Sequence, residues 1–243
     1  MPSTATRNTL PMPDEFVRAL TQRSVLHRAL ARLRVANWQL MLALGAATRR
    51  ALDVAGALAG LTQLSPLLLL TALAIRIESP GPVLFHQQRV GKRGRAFTMY
   101  KFRSMRVTAE AEKQALQEQN ESAEGVLFKM REDPRVTRVG RLIRRLSIDE
   151  LPQLLNVLRG DMSIVGPRPA LPAEVELYDV EARKRLEAKP GLTCLWQISG
   201  RSELTFSEQV DLDLRYLQGR SIAKDIAIIA RTVPAVITGK GAY

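Results

Sequence analysis

"LDVAGALAGLTQLSPLLLLTALAI", residues 52 to 75, is the most apolar stretch of the chain, and its reading decides the fold. At about 1.5 Å per residue it is long enough to span a bilayer as one straight helix. Three features argue for a different path. Thr62 and Gln63 interrupt the apolar run near its middle. Ser65 and Pro66 follow, and a proline there removes a backbone hydrogen bond and kinks or breaks the helix. Basic residues flank both sides, Arg49 and Arg50 before, Arg76, Arg89, Lys92 and Arg93 after, so the positive-inside tendency keeps both ends on the cytoplasmic side. A hairpin that enters one leaflet and returns satisfies all three, because each limb of about twelve residues reaches about 18 Å, near the midplane. The alternatives are a buried core helix of a soluble protein and a full span. The re-entrant reading is preferred, with Ser65 and Pro66 as the break.

Upstream, residues 1–13 hold three prolines and no apolar period, which reads as a flexible leader without the apolar core of a signal peptide. From Asp14 to about Arg50 apolar residues recur at spacings of three and four among Arg23, Arg28, Arg32 and Arg34. Such a basic amphipathic helix either lies on an anionic membrane or packs on the domain. Downstream, residues 82–105 read as two short strands joined by the turn-forming "GKRGR", a β-hairpin. Residues 108–122 are polar, solvated surface. Helices are expected over 138–146, from near Asp149, over 172–188 and over 222–238. The class is therefore α+β, mainly helical with a small β-hairpin. The parts are a leader and amphipathic helix (1–48), the re-entrant membrane helix (49–80) and a catalytic domain (81–243).

Thirty-six Lys and Arg against twenty-four Asp and Glu give a net charge of +12, so the partners are anionic: nucleic acid, acidic lipid or phosphorylated small molecules. One cysteine, Cys194, excludes an internal disulfide and reads as a small buried hydrophobe. His27 and His86 are far apart, which argues against histidine-based triads and zinc sites. Aromatic residues make up only 5% and no nucleic-acid-binding motif is present, so a basic membrane-attached or nucleic-acid-binding scaffold is the lesser alternative.

The chemistry concentrates in "RRLSIDELPQLLNV", residues 144–157, where Asp149 and Glu150 precede an apolar helical pattern. Capping explains part of this. Ser147 and Glu150 match the S-x-x-E box, but Pro152 would then sit where its missing N–H costs a hydrogen bond. With Asp149 as the cap, Pro152 falls harmlessly in the first turn. The surroundings point beyond capping: Arg141, Arg144 and Arg145 precede the pair, "GDMSIVGPRP" (160–169) holds Arg168 in a rigid turn, and Lys101 and Arg103 end the hairpin. Cations converging on adjacent carboxylates suit Mg²⁺-assisted phosphoryl transfer. Three weaker signals remain. Asp211 and Asp213 are metal ligands or, more simply, a helix face paired with Arg215; Asp161 is a turn residue rather than a ligand; Trp196 stacks on a base, anchors at an interface or packs in the core.

"SPGPVLFHQQRVGKRGRAFTMYKFRSM" (79–105), "RRLSIDELPQLLNVLRGDMSIVGPRP" (144–169) and "KPGLTCLWQISGR" (189–201), in that order after the Ser-Pro break, resemble the bacterial monotopic phosphoglycosyl transferases. The resemblance covers about residues 49–243. It implies a re-entrant helix with amphipathic helices at the cytoplasmic face of the bacterial inner membrane. It also implies transfer of a sugar-1-phosphate from a UDP-sugar to polyprenyl phosphate, usually undecaprenyl phosphate, with release of UMP and a requirement for Mg²⁺. By motif, Asp149 would be the nucleophile and Glu150 a metal ligand, with Asp149 beside it at the metal; Lys101, Arg144 and Arg168 would bind phosphate, and Arg201 the nucleotide or sugar. Membrane lipids would surround the bent helix, nucleic acid would not be a partner, and a homodimer is compatible. The first 50 residues depart from the small members, and the closing "GKGAY" looks like the large ones. The sugar is not written in these motifs.

Overall fold

The computed structural model describes residues 14–112, 130, 132–200 and 203–238, and in it the apolar stretch forms two helices with a bend between them. Helix α1 is Asp14–Gln63 and α2 is Ser65–Glu78; Arg32–Gln63 and Ser65–Glu78 are bent by 61° at the break. The bend has a local cause. Pro66 has no N–H to offer the carbonyl four residues back, that of Thr62. That carbonyl accepts instead from Ser65 Oγ at 2.8 Å. Among the described residues no single helix is long and apolar enough to cross a membrane, whereas this bent pair is so by length and composition. The periodicity put the end of the first helix near Arg50, but α1 continues to Gln63 because no proline or cap interrupts residues 50–63.

The chain divides into two units, Met1–Arg49 and Arg50–Tyr243. In the first, α1 exposes large apolar side chains around its circumference, Leu33, Trp38, Met41 and Leu44 among them.

In the second unit, Asp53, Gly56, Ala57 and Gly60 fall at helical spacing and form the face by which α1 packs. A Cβ at Gly56 would stand 2.6 Å from Ile164 Cδ1, so any larger residue there requires the tip of the Ile164 side chain to move. Ala57 is fully buried with Leu154, Val157 and Met162. Asp53 is buried too, its carboxylate accepting from Ser163 Oγ at 2.9 and 2.8 Å and from Ile164 N at 2.8 Å. Arg50 donates to the carbonyls of Val157 and Leu158 at 2.5 and 2.7 Å, capping the end of α5, Leu154–Arg159. At the far end of α2, Glu78 accepts from the amides of Arg138 and Val139 at 2.8 and 3.0 Å. It thereby caps the start of α4, Arg138–Arg145, alongside Thr137.

The expected hairpin is present. Strand β1, Leu84–Val90, pairs antiparallel with β2, Ala96–Phe102, from Leu84 opposite Phe102 to Val90 opposite Ala96. The turn needs left-handed backbone at Arg93 and Gly94, φ 58° and 78°. The outer edge of β2 is paired by a side chain: fully buried Asn156 accepts from Tyr100 N at 3.0 Å and donates to Thr98 O at 2.7 Å, like a one-residue strand.

A parallel pair, β3 (Ser163–Val165) with β4 (Gly191–Thr193), was not anticipated; three residues are too few to show a period. The single helix expected over 172–188 is instead α6 (Pro172–Glu176), α7 (Val180–Arg183) and a 3-10 turn (Lys184–Glu187). Asp179 restarts the chain by accepting from Ala182 N at 2.7 Å, a capping signal inside the apolar period. Helices α8 (Phe206–Gln218) and α9 (Ile222–Thr238) follow. Of the polar stretch 108–122, a short helix α3 (Ala109–Glu112) is seen, and 113–122 lies outside the described residues.

Replacing Asn156 by Ala leaves the Tyr100 amide and Thr98 carbonyl of the half-buried β2 edge without the partner they have now. Chemical denaturation in detergent is expected to show a loss of about 2–4 kcal/mol; a loss under about 0.5 kcal/mol would remove Asn156 from this role.

Candidate active site

Ser147 and Asp149 do not cap an α-helix. Ser147 is left-handed, φ 53° and ψ 22°, without a capping side-chain bond, and Ile148–Gln153 winds as a 3-10 helix. Helix α5 begins beyond Pro152, so the missing N–H falls in the 3-10 turn. The tighter winding turns Asp149 inward to 8% exposure and leaves Glu150 half-buried beside it.

Lys101, on β2, meets them. Its Nζ lies 2.7 Å from Glu150 Oε1 and 4.0 Å from Asp149 Oδ2. Burial pushes Asp149 up to about 6; Lys101 opposes the shift, the charge of Glu150 adds to it, and Arg144 opposes it. Burial also raises Glu150, but the charges of Lys101, Arg168 and Arg89 outweigh it and hold that carboxyl below its ordinary range. Two adjacent carboxylates are thus pushed apart. Glu150 is a fixed anion, while Asp149 stands close to the proton equilibrium of neutral water.

Glu150 and Lys101 border a cleft with Arg89, Gln153, Arg168 and Gln197. Arg168 lies with its Cζ 5.8 Å from the Trp196 ring centre. The structure therefore brings together Asp149, Glu150, Lys101 and Arg168, and the charge of Arg144 acts on Asp149. Arg201 lies outside the described residues. Ser65 and Pro66 mark the helix break and belong to α2.

Arg89 was seen in the sequence only as a flanking charge. The signal that finds it is strand alternation: with Phe85 opposite Lys101 and Arg89 opposite Phe97, Arg89 and Lys101 share one hairpin face. Asp213 is corrected. It pairs with Arg185, both buried, and not with Arg215, because residues two apart on a helix do not face each other. Trp196 is 5% exposed and is a core residue, Cys194 is buried with its thiol pushed well up by burial, and Asp161 follows the left-handed turn at Gly160.

Among the described residues no group of three or more His, Cys, Asp or Glu gathers as a metal cage. The donor set does fit magnesium, which takes one or two carboxylates and completes its shell with water and substrate phosphate. Asp149 and Glu150 offer oxygen alone, and the ammonium of Lys101 marks where positive charge settles between them.

The profile described as "Bacterial sugar transferase" matches residues 44–239, a range that takes in the bent helix pair, the hairpin and the carboxylate turn. The chain belongs to the bacterial sugar transferase family. Among similar members, the galactosyl transferase CpsE of Streptococcus agalactiae is 48% identical over 195 residues, 80% of this chain and 43% of the relative. The exopolysaccharide production protein ExoY of Sinorhizobium fredii is 41% identical over 203 residues, 82% of this chain and 90% of the relative. The UDP-glucose:undecaprenyl-phosphate glucose-1-phosphate transferase of Caulobacter vibrioides is 44% identical over 203 residues, 80% of this chain and 72% of the relative. The chain thus spans under half of the streptococcal member and most of the two others.

The raised Asp149 value is a statement about stability. Its contribution is fully present below the ordinary value of 3.8 and is lost as pH rises through about 6, where the fold must hold a buried anion. Asp149→Asn is therefore expected to be more stable than the parent near pH 8, by up to about 3 kcal/mol, with the gap closing towards pH 4. Thermal unfolding at the two pH values measures it; a gap that widens on acidification contradicts the assignment.

Proposed function

We propose that the protein transfers a sugar-1-phosphate from a UDP-sugar to polyprenyl phosphate, undecaprenyl phosphate by analogy with the Caulobacter relative, yielding polyprenyl-diphosphate-sugar and UMP. This would be the first membrane step of surface glycan assembly, in keeping with the exopolysaccharide production named for the ExoY relative. The observation that carries the reading is a pair of adjacent carboxylates with divergent acidities, of which Glu150 lines a cleft bordered by Arg89, Lys101 and Arg168 and Asp149 stands next to it with Lys101 Nζ at 4.0 Å. Phosphoryl transfer needs little else from a protein than a nucleophile and charge placed around the phosphorus.

In the proposed mechanism a carboxylate oxygen of Asp149 attacks the sugar-bearing phosphorus of the donor. The bond from that phosphorus to the bridging oxygen breaks, and UMP departs with the oxygen. An oxygen of polyprenyl phosphate then attacks the same phosphorus and releases the Asp149 carboxylate. An acid near 6 is mostly ionised at neutral pH and is a stronger base than an ordinary aspartate, which suits the nucleophile. Glu150 stays anionic and would be the principal oxygen ligand for magnesium, with Asp149 beside it. Bound there, the ion would neutralise phosphoryl oxygens and offset the repulsion between carboxylate and diphosphate. Lys101, Arg144 and Arg168 bind phosphate in this scheme, Lys101 also holding Glu150 at 2.7 Å.

The bent α1–α2 pair is read as dipping into the cytoplasmic leaflet of the inner membrane and returning. Exposed Leu69, Leu70, Leu73 and Ile77 on α2 support this, since such a row is costly in water and at home in lipid. Cysteines placed at Ala47 and Ser79 should both label from the cytoplasmic side; labelling from opposite sides means a full span.

The chemistry is tested by exchange of labelled UMP into a panel of UDP-sugars without lipid acceptor. Exchange with the matching sugar is expected, with loss of at least about a thousandfold in Asp149→Asn and on chelation of divalent metal. Full activity with lipid but no exchange without it would replace the two-step route by direct attack of the lipid phosphate.

A further inference from the structure

Strand β1 carries a buried arginine that no motif singled out. Arg89 is 6% exposed, and a guanidinium taken out of water needs a counter-charge to offset its lost hydration. Two other buried arginines have one: Arg135 is paired with Asp133 and Arg185 with Asp213. Among the described residues no carboxylate stands within ion-pair distance of Arg89. Neutral acceptors hold it instead. Gln87 Oε1 accepts from Nε at 3.1 Å and from Nη2 at 2.6 Å, and the Pro169 carbonyl accepts from Nη1 at 3.0 Å. Of the five N–H groups of a guanidinium, one on each terminal nitrogen is left over. Arg103 also ends on carbonyls, those of Ser79 and Pro80, but it does not border the cleft; Arg89 does.

The electrostatics deepen the mismatch. Burial is the main influence on Arg89, and the like charge of Arg168 is the next; together they bring its pKa down to about 10, against weaker attraction from Glu174 and Glu150. Glu174 is already engaged, its Oε2 accepting from Leu171 N at 2.8 Å. Three cations, Arg89, Lys101 and Arg168, border the cleft with Glu150 as the one acidic residue of its wall. A ligand carrying two negative charges balances that wall.

We propose that Arg89 is a substrate-binding residue whose remaining N–H groups take phosphoryl oxygens, and that Gln87 is its positioning residue, holding the guanidinium fork towards the cleft. The names of the substrates rest on the reaction proposed above; the binding of a phosphate ester does not. Two sources share the chemistry, the diphosphate of the nucleotide donor and the phosphate of the lipid acceptor. The donor is favoured because its two phosphoryl groups offer oxygens to both guanidinium groups of that wall, Arg89 and Arg168, whereas the lipid phosphate has a single phosphorus centre.

The test uses the full chain in detergent, with Arg89→Lys, which keeps the charge but loses the planar fork, and Gln87→Leu, which keeps Arg89 but frees it. UDP and inorganic pyrophosphate are titrated calorimetrically, and initial rates are measured against each substrate in turn. Arg89→Lys is expected to weaken UDP and pyrophosphate binding and to raise the donor KM by about tenfold or more, with kcat altered by less than about threefold. Gln87→Leu is expected to shift the same constants in the same direction by a smaller factor; stranding two N–H groups of the buried guanidinium lowers its unfolding midpoint by a few degrees, so both variants are titrated well below their midpoints, where they remain folded. A rise confined to the KM of the lipid phosphate would assign Arg89 to the acceptor and overturn the donor assignment. Unchanged binding and unchanged KM values, or losses that only track a falling unfolding temperature, would overturn the proposal altogether. Should the parent turn over no UDP-sugar, the reaction fails while the UDP and pyrophosphate titrations still decide Arg89.

Discussion

The site exists because the carboxamide of Asn156 has nowhere to go but the edge of β2. Its oxygen takes the Tyr100 amide and its nitrogen gives to the Thr98 carbonyl and, at 3.4 Å, to Asp161. Its backbone carbonyl meanwhile receives the amides of Gly160, Asp161 and Met162. Asn156 itself is fully buried, so each of its polar groups would be costly without a partner. Lys101 follows Tyr100 directly, and α5, which carries Asn156, follows the 3-10 turn with Asp149 and Glu150. The 2.7 Å contact between Lys101 and Glu150 is thus fixed by a residue that touches neither.

The same short helix joins the site to the apolar segment. Arg50 caps the end of α5, Asp53 holds Ser163 and Ile164, and Glu78 caps α4, the helix that carries Arg144. Both limbs of the bent pair therefore end on elements that bear the chemistry. A straight helix over residues 50–78 would carry Arg50 and Glu78 some 40 Å apart, at about 1.5 Å per residue. The proline break and the Ser65 bond that heals it shorten that reach, which is a structural reason for the Ser-Pro pair apart from any membrane.

What could be read from the sequence followed from how local each feature is. The hairpin was legible because its glycine turn and strand alternation lie within about twenty residues, and the break at Ser65-Pro66 because proline acts on its own backbone. The carboxylate pair stood out through its arginine neighbours. The 3-10 winding did not, since the left-handed Ser147 resembles a capping serine in every respect that spelling reveals. Arg185 with Asp213 and Asn156 with β2 join positions 28 and about 57 residues apart, pairings that no period encodes. The split of the expected helix at Asp179 was readable, but the capping signal was overridden by the apolar spacing around it.

The two buried charge systems behave differently, and the difference separates support from chemistry. Arg185 and Asp213 pair directly, with the Tyr178 and Phe206 rings within 6 Å of the guanidinium; burial pushes Asp213 up to about 6, as it does Asp149, but neither residue borders the cleft lined by Glu150 and Lys101. Around Asp149 the balance is left open: a carboxyl raised by burial, a glutamate held down by three cations, and an arginine satisfied only by neutral oxygens. A protein selected for stability alone would remove such a surplus, since apolar substitutes for buried charge are often neutral or better. Its persistence is intelligible when the missing counter-charge arrives with the substrate, so that binding completes an electrostatic arrangement the fold leaves unfinished.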